Sequence, residues 1–272
     1  MQLEESVGEI ILEIVLIIII SVLAVAIVWD VLFLLPTRWL KVERVKWDSK
    51  AKKKVIQISD LHIKHLRVPI TTLKQLIEDE QPDYVFLTGD FIDKNEKEFP
   101  KLERFLTMIQ QTGVETYAVL GNHDRYIEEV HKLEEILGKY QVHLLKNEYV
   151  EKEDLFIVGI DDFCQGHHDI KRSFQFSNPL IKDILVLTHD PDIVDDLKES
   201  YTMLVSGHLH GKQVNVPYLF KVADMGRLAK RGIYKGQHVH SNGTFYISKG
   251  IGQSRWNIRF MVRSEVTIHE LS

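Results

Sequence analysis

Two histidines stand either side of one leucine in the stretch LVSGHLHGKQ, residues 204–213, between glycines and straight after an apolar run. Imidazoles placed so at the end of a predicted strand can be aimed at a ligand, provided other parts of the chain aim at the same place. Four further apolar runs end in the same manner. Val55–Ile58 leads into Asp60 and His62, and Tyr84–Leu87 into Asp90 and Asp93. Thr116–Leu120 leads into Asn122, His123 and Asp124, and Ile184–Leu187 into His189. Ligands of α/β sheets gather outside the carboxyl ends of strands, so these clusters predict one crevice crowded with carboxylates, imidazoles and an amide. Aspartates buried together raise each other's pKa and cost stability. Divalent cations remove that cost and accept mixed oxygen and nitrogen donors. Asp90, with two oxygens, is the best placed to bridge two ions. Glycines before Asp90, Asn122 and His208 permit the sharp turns such convergence needs.

The order D-x-H, G-D-x-x-D, G-N-H-D, H, G-H-x-H resembles that of the calcineurin-like metallophosphoesterases over about residues 54–271. Within that superfamily the tail ISKGIGQSRWNIRF…SEVTIHEL is similar to that of the bacterial membrane-associated YkuE/YaeI-type phosphodiesterase group. The resemblance implies a four-layer α-β-β-α sandwich holding two divalent metal ions, with manganese expected and iron or zinc as alternatives. It places Asp60, His62, Asp90 and His210 on one ion, and Asp90, Asn122, His189 and His208 on the other. His123 is implied to sit over the phosphoryl group, with Asp124 hydrogen-bonded behind it. The chemistry implied is phosphoester hydrolysis, with two ions on the order of 3.5–4 Å apart clamping the attacking and leaving oxygens and activating a water. Two positions depart from the group's pattern. Lys212 stands where a second glycine is expected after His210, and Ser264 replaces a proline before Glu265.

The elements that must carry these residues are legible as alternating apolar runs and amphipathic helices. Helical periodicity covers Ile70–Glu80, Glu98–Gln110 and Ile127–Leu137. Leu155–Ile160 is a further strand, and the stretches GTFYISKG and RFMVRSEVTIHEL read as strands of a second sheet layer. An α/β domain with covered sheets follows. Its expected limits are residues 54–272, after an N-terminal membrane anchor at 1–35 and a basic juxtamembrane connector at 36–53.

Other candidate residues carry blander expectations. Cys164, the single cysteine, excludes an internal disulfide and reads as a small buried apolar residue. His65, His167 and His168 read as loop residues, and His238 and His240 as one exposed strand face. Asp93 is expected to support a ligand rather than to be one. Arg255 is a weak candidate for substrate contact, and Arg259 is equally well a structural arginine.

The anchor is the stretch IILEIVLIIIISVLAVAIVWDVLFLL, Ile10–Leu35, which as a helix extends roughly 39 Å and exceeds the apolar thickness of a bilayer. It has no polar face to present to water. Arg38, Lys41, Arg44, Lys46, Lys50, Lys52, Lys53 and Lys54 follow it, and no basic residue precedes it. The positive-inside rule then places the domain in the cytoplasm, on a single-pass chain of the cell membrane. Residues 1–35 hold five of the 39 acidic residues, and the 34 that remain match the 34 basic ones. A neutral domain gives no reason to expect nucleic-acid binding. The expected substrate is a phosphodiester or pyrophosphate on a membrane-associated or nucleotide-linked lipid, because VNVPYLFKVADMGRLAKRGIYK beside the last ligands mixes apolar and basic residues. Hydrolysis of soluble nucleotides or phosphoproteins is the alternative, and a metal-free scaffold is the remaining one.

Overall fold

A computed structural model describes residues 2–93, 95–177, 182–216 and 225–272. Two six-stranded sheets form the domain. The first contains β1 (Lys41–Trp47), β2 (Lys54–Ile58), β3 (Tyr84–Thr88), β4 (Glu115–Val119), β5 (Val142–Leu144) and β12 (Glu265–Leu271), in the order β1-β12-β2-β3-β4-β5. The second contains β6 (Glu148–Glu151), β7 (Leu155–Gly159), β8 (Asp183–Leu187), β9 (Met203–Ser206), β10 (Gly236–His240) and β11 (Gly243–Ile247), in the order β10-β11-β9-β8-β7-β6. Strands β2 to β5 run parallel, linked by α3 (Ile70–Glu80), α4 (Phe99–Thr112) and α5 (Val130–Lys139). Strands β7, β8, β9 and β11 are likewise parallel, whereas β6 and β10 run antiparallel at the edges.

Residues of β2, β3, β7 and β8 are buried on both faces, which is why they read as mainly apolar runs, with Gln57 of β2 the interior exception. One set of side chains, including Phe86, Tyr117, Ile157, Leu185 and Val205, fills the space between the sheets. The opposite set of the first sheet packs under the helices. In α4, Leu102, Phe105, Leu106 and Ile109 recur at helical spacing on the buried face, and Gly113 ends the helix at φ 68°. The outer face of the second sheet is covered by short pieces, α6 (Ile170–Ser173), the turn Pro191–Asp195 and α7 (Arg227–Lys230).

The stretch expected as a connector is partly sheet. Residues 41–47 form β1, paired in parallel with β12 from Lys41↔Glu265 to Trp47↔Leu271. Arg44 and Lys46 turn outward along it, while Val45 and Trp47 turn inward. The last strand is shorter than its sequence suggests. The strand is Glu265–Leu271, preceded by an isolated bridge of Phe260 to Val214, and the loop before it is gathered around Arg259, which is fully buried and donates to the carbonyls of Lys249, Gly250 and Gly252.

Strand direction fixes where the N-terminal helix joins. Since β12 is antiparallel to β2 and β1 is parallel to β12, β1 starts at the end of the sheet where β2 to β4 finish. Helix α1 (Gln2–Trp29) continues through a π-helical turn at Asp30–Leu34 into α2 (Leu35–Arg38), and so reaches the domain at that end. The large apolar side chains from Ile10 to Val31 are exposed, and the helix is long and apolar enough to cross a membrane.

Candidate metal centre

The loops that follow β2, β3, β4, β8 and β9 meet at one end of the two sheets, and they bring all seven expected metal ligands together. Gln57 helps hold the sheets in register there, its Nε2 donating to Ser206 O at 2.9 Å across the interface. Asp60, His62, Asp90 and His210 are buried and offer ligand atoms within 4.8 Å of one another. His62 Nε2 lies 3.2 Å from His210 Nε2 and 3.4 Å from Asp90 Oδ2, while His210 Nε2 lies 3.4 Å from Asp60 Oδ1. His189 Nε2 also stands 3.3 Å from the same Oδ2. His208 Nδ1 then lies 3.3 Å from His189 Nε2 and 3.0 Å from Asn122 Oδ1. Asp90 is therefore shared by two donor sets.

The donors are fixed from behind. His189 Nδ1 lies 2.8 Å from Thr88 O, which requires N–H there and leaves a lone pair on Nε2 facing the site. His62 Nδ1 lies 3.1 Å from Asp93 Oδ1, with the same consequence. Gln165 Nε2 donates to Asn122 O at 2.8 Å. His208 N and His123 N donate to Asp60 Oδ1 and Asp90 Oδ1 at 2.9 and 2.8 Å. Lone pairs of two carboxylates, an amide and several imidazoles aimed at one buried volume are what hard and borderline divalent cations accept. The residues Asp60, His62, Asp90 and His210 fit such an ion.

Backbone strain accompanies this convergence. Asp60, His62, Asp90, His208 and His210 all have positive φ, between 36° and 70°. Each such conformation in a non-glycine residue costs of order 1–3 kcal/mol and persists only where its surroundings over-determine it. Close approach adds a second demand. A Cβ on Gly207 would overlap Ser59 Oγ and the Asp60 carboxylate, so only glycine leaves room for the turn into His208.

Charge balance follows the same geometry. Burial alone would raise Asp90, but the neighbouring His189 and His62 reverse this and hold it well below the usual carboxylate range. Asp60 is lowered too, with burial overcome by His210 and His189. In return His189 and His62 are raised against their own burial, chiefly by Asp90 and by Asp93 respectively.

Several expectations need correction. Asp124 does not lie behind His123. Its carboxylate accepts from the amides of Phe91 (2.8 Å), Ile92 (3.2 Å) and Gly121 (2.9 Å), joining the loops after β3 and β4. Burial and the charge on Asp90 push it up to about 7, against those amide donors. The carboxylate facing His123 is Asp93, whose Oδ1 lies 3.1 Å from His123 Nδ1. His65 is half-buried, with Nε2 3.5 Å from Asp93 Oδ2, rather than freely solvated. Cys164 is exposed, not buried, and borders the second donor set beside Asp190 and His208. Asp162 turns that loop outward by accepting from the amides of Cys164 and Gln165.

His167 and His168 lie in the loop before α6, and His238 and His240 share one half-buried face of edge strand β10. Arg255 is exposed, whereas Arg259 is structural. Ser254, whose Oγ is 3.5 Å from His123 Nε2, carried no sequence signal. Residues 217–224 of the apolar and basic stretch lie outside the described residues.

Comparison with known proteins agrees with this geometry. The chain is similar to the uncharacterized metallophosphoesterase YkoQ of Bacillus subtilis, 37% identical over 250 residues, covering 86% of this chain and 92% of the relative. It is 25% identical to YkuE of the same organism, over 80% of this chain and 78% of the relative. It is also 26% identical to the UDP-2,3-diacylglucosamine pyrophosphatase LpxG of Chlamydia trachomatis, over 84% of this chain and 88% of the relative. The family profile of the calcineurin-like phosphoesterases matches residues 53–212, and the chain belongs to that family of metal-dependent phosphoester hydrolases.

Proposed function

We propose that this chain hydrolyses a phosphodiester or pyrophosphate linkage of a membrane-associated or nucleotide-linked lipid, using two divalent ions shared through Asp90. The observation that carries the reading is the approach of both His62 Nε2 and His189 Nε2 to the same oxygen of Asp90, at 3.4 and 3.3 Å. Asp60, His62, Asp90 and His210 would hold one ion, and Asp90, Asn122, His189 and His208 the other, with manganese the expected metal. When bound, the pair supplies Lewis acidity toward phosphoryl oxygens and an activated water.

The chain's own residues supply the rest. His123 sits at the open side of the site, its amide tied to Asp90 Oδ1 and Nδ1 facing Asp93. Its Nε2 is therefore the atom that carries a proton to the leaving oxygen, a contribution of about 10²–10⁴-fold in rate. Asp93 orients His123 and His62 together. Helix α1 keeps the site at a membrane as a single-pass anchor, and the basic residues after it favour a cytoplasmic domain. Similarity to LpxG supports a lipid-linked pyrophosphate as the substrate class.

The full chain in detergent, loaded with Mn²⁺, is to be compared on bis-p-nitrophenyl phosphate and p-nitrophenyl phosphate. Preference for the diester, abolished in Asp90→Ala, is expected. Preference for the monoester would move the reading to a phosphatase of soluble substrates, and two bound metals without turnover of either would remove it.

A further inference from the structure

The loop from Gln253 to Ser264 touches the catalytic site and helix α1's continuation at once. At its start Ser254 Oγ lies 3.5 Å from His123 Nε2. Its backbone is knit to the segment that follows His210. Gln213 Nε2 donates to the carbonyls of Ser254 and Trp256, both at 2.9 Å, and Phe260 N donates to Gln213 O at 2.9 Å. Arg67 Nε, beyond the first motif, donates to Asn257 Oδ1 at 3.0 Å. The far end of the loop is fastened to the helical segment leaving α1. Arg259 N donates to Phe33 O at 3.0 Å, the Phe260 ring stacks on Phe33 with centroids 5.2 Å apart, and Ser264 N donates to Pro36 O at 2.9 Å.

A loop braced this firmly nevertheless turns large apolar side chains outward. Trp256 is 62% exposed and Met261 72%, and Met261 holds a left-handed backbone at φ 56°. Trp39, where the chain leaves α2, is 55% exposed, with the Arg263 guanidinium 3.8 Å above its ring. Arg255 is exposed beside Trp256. Tryptophan with flanking arginine is the pairing that settles at the headgroup level of a bilayer. Two independent constraints put that level here. The hydrogen bond from Arg259 N to Phe33 O keeps the loop against the segment where the apolar helix ends. The antiparallel run of β12 against β2 joins that helix to the catalytic end of the sheet.

We propose that Arg255–Met261 is an interfacial element. Trp256 and Met261 enter the boundary between headgroups and acyl chains of the bilayer that holds α1, so the mouth beside His123 opens onto the membrane surface and receives lipid-borne phosphoester from it. This rests on the reading of α1 as a membrane span. The occupant of the exposed patch is thus the lipid of the chain's own membrane, not a protein partner.

The test uses the full chain in vesicles of phosphatidylethanolamine and phosphatidylglycerol, in a Cys164→Ser background. Single substitutions Trp256→Cys, Met261→Cys and, at the opposite end of the sheet, Lys50→Cys are labelled with nitrobenzoxadiazole. Lipids spin-labelled near the headgroup should quench the label at positions 256 and 261 and leave the label at 50 unchanged. A second readout compares substrates. Trp256→Ser with Met261→Ser should lower turnover of a vesicle-embedded lipid pyrophosphate by about tenfold or more while sparing soluble bis-p-nitrophenyl phosphate. Labels at 256 and 261 as unquenched as that at 50, on a chain that floats with the vesicles and resists carbonate extraction, would overturn the proposal and leave the anchor standing. A chain that does not float would remove both. Equal loss on soluble and embedded substrates would also overturn it, assigning the loop a structural role.

Discussion

Asp93 Oδ1 lies 3.1 Å from Nδ1 of His62 and 3.1 Å from Nδ1 of His123, so a single oxygen orients a candidate metal ligand and the candidate proton donor. The contact with His62 has hydrogen-bond geometry, whereas that with His123 is a close approach out of line. Despite partial burial, the two imidazoles hold Asp93 far below the usual carboxylate range. Asp93→Asn keeps the size but loses the charge that serves both rings. Metal affinity and turnover should each fall about 10–100-fold, the usual range for partners that orient ligands. Calorimetric Mn²⁺ titration beside kcat checks this, and unchanged affinity with unchanged kcat would disprove the shared role.

Asp124 acts on the backbone instead. With the amides of Phe91, Ile92 and Gly121 bound to its two oxygens, it joins the turn carrying Asp90 to the turn carrying Asn122. Asp124→Asn must set its NH₂ against at least one of those amides, at a cost of roughly 1–3 kcal/mol. The expected result is a lower Tm with the pH dependence of kcat preserved. A displaced pH profile without loss of stability would return Asp124 to the proton-transfer path.

Much of this site was legible because its residue types are unusual and each follows an apolar run. The seven candidate ligands, which the fold brings to one end of the sheets, and the parallel strands that lead into them could be picked out in order. What could not be picked out is which carboxylate faces which imidazole. Asp93 and Asp124 both sit a few residues beyond a strand, and it is the tertiary meeting of the two turns that sets Asp93 against His62 and His123 and Asp124 against backbone amides. Strand β1 was hidden for a different reason. On an edge strand the outward residues carry charge, so Arg44 and Lys46 outside, with Lys41 and Glu43 at the start of the inner face, masked the inward alternation of Val45 and Trp47. Cys164 misled because its outward turn is dictated by Asp162, a tertiary detail without a local pattern.

Cation binding should appear as stability. Asp60 and Asp90 are fully buried like charges whose ionised form the neighbouring imidazoles favour, and five of the candidate ligand residues are held in left-handed backbone. An ion at a hundred times its Kd adds about 2.7 kcal/mol to the folded state for each site. Mn²⁺ should therefore raise Tm and a chelator should lower it. Asp90→Ala, lacking the shared ligand, should show little or no shift. A variant stabilised by Mn²⁺ as strongly as the parent chain would place the ions elsewhere.

Acid sensitivity should have a source away from the site. His269 is fully buried, accepts from Trp47 Nε1 at Nδ1 (3.0 Å) and places Nε2 3.1 Å from Gln57 Oε1. Gln57 in turn donates to Thr88 Oγ1 and Ser206 O, so this chain of bonds spans the two sheets. Protonation would put a hydrogen on Nδ1 facing the Trp47 N–H, and burial drives the imidazole from 6.5 down to about 3. The folded-state value lies below the unfolded one, so the unfolded chain binds more protons between them. The contribution is complete above about pH 6.5 and is lost progressively as pH falls toward 3. Between pH 7 and pH 5 the loss is about 2 kcal/mol. His269→Gln, which cannot titrate, should be less stable than the parent at pH 7 yet lose about 2 kcal/mol less on going to pH 5. Urea unfolding of both chains at the two pH values measures that difference. Equal losses would show that His269 does not carry the acid sensitivity.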